Sequence, residues 1–200
     1  MRAGVEEAAK PVELRTNRLL LRPFRSTDVA DALAYRNDPE FCRYLPHIAH
    51  PFTRQDAEAF VSRNIADRWD MCPTFAVVLE GMVVGTVDFD VDRHNDIAML
   101  GFAIGRAHWG RGIGFEAAQA AVDWSFETFN LAKIWATTDA RNTRSARLLE
   151  KLGMQLEGRL RSHERARDGR TDTLHFGLLR AEWQTAHGFA PPSIGPVQSI

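Results

Sequence analysis

Glycine stands at three alternate positions, Gly110, Gly112 and Gly114, immediately before a stretch of amphipathic helix. Phe115, Ala118, Val122, Phe126 and Phe129 then recur at spacings of three and four, which predicts one apolar helical face. A glycine loop feeding a helix start leaves backbone N–H groups without helical partners, and the helix dipole adds partial positive charge there. That combination suits a phosphate or pyrophosphate, and Arg106 and Arg111 add full positive charge beside it. Spacing excludes two common phosphate loops. No Gly-x-x-x-x-Gly-Lys-Ser/Thr run exists, and Phe115 stands where the dinucleotide fingerprint needs its third glycine. On these residues alone, a turn that needs the torsional freedom of glycine is the competing reading.

A chain of 200 residues with 44% hydrophobic content fits one globular domain, expected over residues 13–183 with tails at 1–12 and 184–200. A formal net charge of −1 gives no global attraction to nucleic acid or membrane surfaces, so neither partner is expected. The apolar runs are too short to span a bilayer, and the first residues lack the basic-then-apolar order of a signal peptide. Cys42 and Cys72 form neither a Cys-x-x-Cys pair nor a disulfide framework, so a cytoplasmic location is expected. His47 and His50 spell a His-x-x-His pair, but in a proline-flanked loop with no carboxylate cluster. A solvated loop, not a metal site, is the expectation.

Along the chain, residues 18–24 predict a first strand. Ser26 is expected to cap a helix to about Asn37, with Val29, Ala30 and Leu33 inward. Pro39, Pro46 and Pro51 forbid a long helix in the loop that follows. Thr53 with Asp56 resembles a capping box, and Ala57, Phe60, Val61, Ile65 and Trp69 make the stripe of a second helix. Two strand-like runs flank Glu80-Gly81, a hairpin turn, and a third follows His94-Asn95-Asp96. After the glycine loop and its helix come a strand at residues 133–138, a helix capped by Asn142 and stopped by Gly153, and two strands around Asp168-Gly169 reaching Trp183. The result is an α/β fold with a mixed sheet and the anion loop just after a central strand.

The run W-G-R-G-I-G resembles the coenzyme A pyrophosphate loop of the GNAT acyltransferase superfamily, Gln/Arg-x-x-Gly-x-Gly/Ala. Gly112 and Gly114 take the two small positions, and Trp109 replaces the usual Gln or Arg. In that replacement it is similar to the branch of ribosomal-protein N-terminal acetyltransferases (RimJ/RimL type), where W-G-x-G is common. LLLRPF, ARNTRSARLLEKLGMQLEGRLR and LLRAEW extend the resemblance over residues 19–183. It implies a mostly antiparallel seven-stranded sheet flanked by about four helices, and acetyl-CoA as co-substrate with no metal. The implied acceptor is a primary amine, either a protein N-terminus or a small molecule, and homodimers are frequent among such proteins. A non-catalytic acyl-CoA-binding or sensing domain of the same fold is the alternative. A nucleotide-binding enzyme is a more distant one.

The resemblance also assigns residues. Gly101, Phe102 and Ile104 would line the pantetheine arm on a strand that splays from residues 133–138, so that the arm lies in the gap like an added strand. Trp109, Gly110, Arg111, Gly112, Ile113 and Gly114 would hold the pyrophosphate. Asn142 would face the pantetheine and Ser145 the sulfur, while Arg111, Arg141, Arg144 or Arg147 could meet the 3′-phosphate. Acyl transfer needs an amine freed of its proton and donors for the oxyanion. The departing thiol, with an ordinary pKa of about 8.5, needs little help. Glu164 is the first choice for the base, with His163 facing the other way by strand alternation and Asp88 and Asp90 as further candidates. Relatives often carry Glu where this chain has Met99, so the base cannot be taken from there. Neither cysteine has an activating partner in sequence, which favours direct transfer in a ternary complex over an acyl-cysteine.

Overall fold

A computed structural model describes residues 9–188; of the two expected tails, residues 1–8 and 189–200 lie outside the described residues. The elements are β1 (Leu14–Arg15), β2 (Leu19–Arg22), α1 (Val29–Arg36), α2 (Arg54–Ala66), β3 (Thr74–Leu79), β4 (Met82–Asp92) and β5 (Ile97–Ile104). They continue with α3 (Ile113–Phe129), β6 (Lys133–Asp139), α4 (Thr143–Lys151), β7 (Gln155–Ala166), β8 (Gly169–Leu179) and α5 (Arg180–Ala186). One eight-stranded sheet runs β1-β2-β3-β4-β5-β6-β8-β7. Every neighbouring pair is antiparallel except β5 with β6. The α/β class and mostly antiparallel mixed sheet are as expected. The count rises above seven strands because the two-residue edge strand β1 pairs with β2.

Local chemistry explains most boundaries. Glu80 and Gly81 take φ of 51° and 85° and turn β3 into β4. Thr53 and Asp56 form the expected capping box: Asp56 N donates to Thr53 Oγ1 at 3.2 Å, and Thr53 N to Asp56 Oδ2 at 2.8 Å. Asn130, at φ 50°, closes α3.

Three local expectations are corrected. A 3-10 turn at Ser26–Asp28 precedes α1, and its organising group is Asp28 rather than Ser26. The Asp28 carboxylate accepts from Arg25 N at 2.8 Å and from both Arg22 terminal nitrogens at 2.7 and 2.8 Å. The tighter turn changes the phase of α1, so Ala32, Tyr35 and Arg36 are buried while Ala30 is exposed. In α2, Ala57, Phe60 and Val61 point inward, but Ile65 is 49% exposed and the buried Trp69 comes from the segment after the helix. The last strand ends at Leu179, not Trp183. The Glu182 carboxylate accepts from Leu179 N at 2.8 Å and starts α5, which stacks Trp183 on Phe126 with centroids 5.0 Å apart.

The sheet separates two apolar clusters. Phe75, Phe89, Phe126, Ile134 and Phe176 belong to the one that holds α3 and α4. Phe24, Tyr35, Phe41, Phe60 and Ala76 belong to the other, beneath α1 and α2. Where the two faces meet, between β5 and β6, the sheet opens.

Candidate active site

Parallel pairing of β5 with β6 stops after Ile97 with Lys133, Ala98 with Ile134 and Met99 with Trp135. From Leu100 onward the strands diverge, and one β5 edge has no strand partner among the described residues. A cavity of about 650 Å³ lies there. Phe102, Ala103 and Ile104 form one wall, the loop from His108 to Phe115 an end, and Asn142, Ser145 and Leu148 of α4 the opposite wall. Phe41, Tyr44 and Leu45, from the proline-bounded loop before α2, close the other end.

The glycine loop leaves main-chain donors open. Gly110 and Gly112 have φ of 72° and 77°, a region that side chains resist. Among the described residues, no main-chain acceptor takes the N–H groups of Gly110, Gly112 or Gly114. A Cβ at Gly114 would lie 3.0 Å from Leu148 Cδ1 and 3.4 Å from Ile104 Cγ1, so a side chain there would have to push both walls back by a few tenths of an ångström. The indole of Trp109 donates to Ile104 O at 2.6 Å and carries the Arg144 guanidinium 4.8 Å above its ring. Trp109 therefore fastens the loop to the end of β5 and holds a cation beside it.

A clamp that the sequence does not advertise supports this loop. Arg18 Nη1 donates to Arg111 O at 2.9 Å, and Arg18 Nε meets Glu116 Oε2 at 2.6 Å, across 98 residues of sequence. Burial works against the Glu116 carboxylate, but hydrogen bonds from Thr16 and Arg18 hold it below the usual range. The only sequence signal was an acidic residue in the first turn of a helix.

On the opposite wall, Asn142 Oδ1 accepts from Ser145 N at 3.2 Å, which makes it the N-cap of α4 as expected. Arg141 fixes this helix start by pairing with Asp139 at 2.7 Å and Asp168 at 2.8 Å. Burial penalises the Asp139 carboxylate, yet bonds from Arg141 and Thr171 keep it below the ordinary range.

Phe102, Ile104, Trp109, Gly110, Gly112, Ile113, Gly114, Asn142 and Ser145 thus line one cavity. Three expected site residues do not. Arg111 turns its side chain to His108, 3.4 Å away, and contributes its carbonyl to Arg18. Gly101 faces the α1–α2 side, where a Cβ would fall 2.5 Å from Asp88 Oδ2. Glu164 is exposed on β7, off the cavity, in the electrostatic neighbourhood of His47. Strand alternation does not order His163 and Glu164. The register breaks between Leu160 and Glu164 with Ser162 at φ 51°, and His163 sits 6.5 Å from His175. Phe41, Tyr44 and Leu45 were missed, because a proline-rich loop shows no periodicity to say what it covers.

No cluster of three or more His, Cys, Asp or Glu suited to a metal occurs among the described residues, and no helix of the described chain is long and apolar enough to cross a membrane.

A sheet split at one parallel seam, with a glycine anion loop at its mouth, defines a class of acyl-coenzyme-A-dependent transferases. Residues 18–155 match the acetyltransferase (GNAT) domain, and the chain belongs to that family. It is an acetyl-CoA-dependent acetyltransferase. The uncharacterized N-acetyltransferase p20 of Bacillus licheniformis is 32% identical over 173 residues, covering 85% of this chain and 97% of p20. A GNAT-family acetyltransferase structure from Bacillus anthracis superposes with a TM-score of 0.76 at 28% identity, over 84% of this chain and 98% of that one. RimL, a ribosomal-protein acetyltransferase solved in complex with coenzyme A, gives a TM-score of 0.75 at 15% identity, over 84% of this chain and 98% of its own, a likeness of fold alone.

Proposed function

We propose that this chain transfers the acetyl group of acetyl-CoA to a primary amine, a protein N-terminus or a small-molecule amine, by direct attack within a ternary complex. The observation that carries this is the pairing of β5 and β6 breaking off after Met99 and Trp135, beside a loop whose glycine N–H groups are unclaimed. The residues fit the coenzyme. The amides of Gly110 to Gly114 suit a diphosphate, and the open edge of β5 offers main-chain groups to an extended arm. Acetyl-CoA would supply the activated acyl group.

Ser145 is at the start of α4 and on the cavity wall, which supports its assignment as the hydroxyl that meets the coenzyme sulfur. The β5 main chain at the gap offers oxyanion donors. Direct attack is supported by the state of the two thiols. Burial pushes both Cys42 and Cys72 above the ordinary value, and Cys42 Sγ donates to Arg36 O, so neither is poised as a nucleophile. Proton removal falls to a carboxylate on the acceptor side of the sheet, where Glu164 and Asp88 are the candidates.

The test is a panel of amines and peptides with free N-termini incubated with acetyl-CoA and read by mass spectrometry. Gain of one acetyl group on at least one amine is expected. Tight coenzyme binding with transfer to none of them would replace this reading with that of a sensing domain.

A further inference from the structure

Among the described residues most acids withdrawn from solvent are paired, and Asp67 and Asp88 are the exceptions; of the two, Asp88 lies on the sheet beside the gap. Asp28 accepts three hydrogen bonds, and Asp139 accepts from the main chain and side chain of Arg141 and from Thr171. Asp88, half-buried in β4, has no hydrogen bond or ion pair among the described residues, and its oxygens lie directly against the main chain of Gly101 in the paired position of β5. Neither Asp88 nor Gly101 lines the cavity; the β5–β6 pairing ends at Met99, two residues before Gly101, so the carboxylate lies across β5 from the gap at about one strand spacing, roughly 5 Å. Two further polar groups on the α1–α2 side lack partners of normal geometry: the Tyr35 hydroxyl and Arg36 Nε, in residues only 8% and 7% exposed. A carboxylate kept from every protein donor yet still reached by solvent is placed to receive one from outside.

Resting on the acyl-transfer reading above, we infer that Asp88 binds the acceptor ammonium and is the base that takes its proton. The carboxylate accepts one proton from the ammonium. The freed lone pair forms the new C–N bond at the thioester carbon, and the C–S bond breaks with its electron pair going to sulfur. A second proton leaves the nitrogen and ends on the thiol, while the proton held by Asp88 passes to solvent. Gly101 is then a positioning residue: it leaves the space that the carboxylate occupies.

The charges facing Asp88 fit this role. Burial, opposed by Arg36 and Arg63 and assisted by Asp67 and Asp90, raises its pKa to about 6, and it in turn acts on Tyr35 and Cys72. A carboxylate of that basicity is charged at neutral pH and a better proton acceptor than an ordinary one.

The experiment compares wild type, Asp88→Asn and Glu164→Gln on an acceptor that the wild type acetylates, with kcat/KM measured from pH 5 to 10 and acetyl-CoA affinity measured separately by calorimetry. Asp88→Asn is expected to lower kcat/KM by about 100-fold or more near neutrality and to lose the limb near pH 6. The deficit should shrink at alkaline pH, where water has already deprotonated the acceptor, while acetyl-CoA affinity stays at the wild-type value. A merely structural role would move neither the limb nor the alkaline recovery. Wild-type rates and profile in Asp88→Asn, or loss of the limb in Glu164→Gln instead, would overturn the assignment and leave acetyl transfer standing. A wild type that binds acetyl-CoA and acetylates no amine removes both.

Discussion

Gly112 shows how much of the site depends on single backbone torsions. At φ 77° an alanine carries a Cβ penalty of about 1–2 kcal/mol, which the loop can relieve by leaving the conformation that aims its N–H groups at the cavity. Gly112→Ala is therefore expected to weaken acetyl-CoA binding by roughly five- to thirtyfold, read by calorimetry, with kcat at saturating coenzyme little changed. Its left-handed torsion was legible from sequence, because alternating glycines before a helix mark backbone that a side chain would strain. Asp88 was legible only as an acid on a strand. What singles it out is a carboxylate without a hydrogen bond lying against the bare main chain of Gly101 on the neighbouring strand, an arrangement made by strand pairing and not by any local pattern.

At the scale of elements, the loop between α1 and α2 matters more than its irregular sequence suggests. Tyr44 donates its hydroxyl to Arg141 O at 3.3 Å on one side of the cavity. Arg167, from the β7–β8 turn, donates to Cys42 O at 3.3 Å and to Ile48 O on the other. The loop is thus a strap tied at both ends, and Arg167→Ala releases one end. Loss of two charge-assisted hydrogen bonds, about 1.5–3 kcal/mol each, is expected to raise the acceptor KM about tenfold or more and to expose residues 41–48 to limited proteolysis, with acetyl-CoA affinity less affected. The regular elements around this loop followed from local patterns: the Thr53–Asp56 box, the Asn142 cap and the turn at Glu80-Gly81. The strap did not, because its conformation is set by partners 97 to 125 residues away in the chain. The phase of α1 failed for a similar reason, since the Arg22–Asp28 pair inserts a turn that no helical period contains.

For the molecule as a whole, the carboxylates divide into two groups with opposite effects on stability. Hydrogen bonds to Thr16, Arg18, Arg141 or Arg159 among others hold Glu116, Asp139 and Asp172 below their ordinary values despite the opposing pull of burial on the first two. Their contribution is present above about pH 4 and is lost as they protonate below it. Asp88 runs the other way. Its raised value means the folded state binds more protons than the unfolded state between about pH 4 and 6, so stability declines as pH rises through that window. Melting temperature is expected to fall steeply in acid, peak near pH 5 and drop modestly by pH 7. Asp67, also raised by burial, adds to this decline, so Asp88→Asn should reduce the drop above pH 5 and leave the acid limb intact, as thermal scans across pH can check.

Only three residue pairs join β5 to β6, while β4 and β5 share eight. Such a seam is the place where this sheet should breathe first, and on the proposed reading a coenzyme lodged in it would complete what the chain leaves unfinished. Amide protons on both sides of the seam should therefore exchange faster than those of β3 and β4 in the free protein, and slow selectively once acetyl-CoA is added, so that the substrate becomes a temporary piece of the architecture.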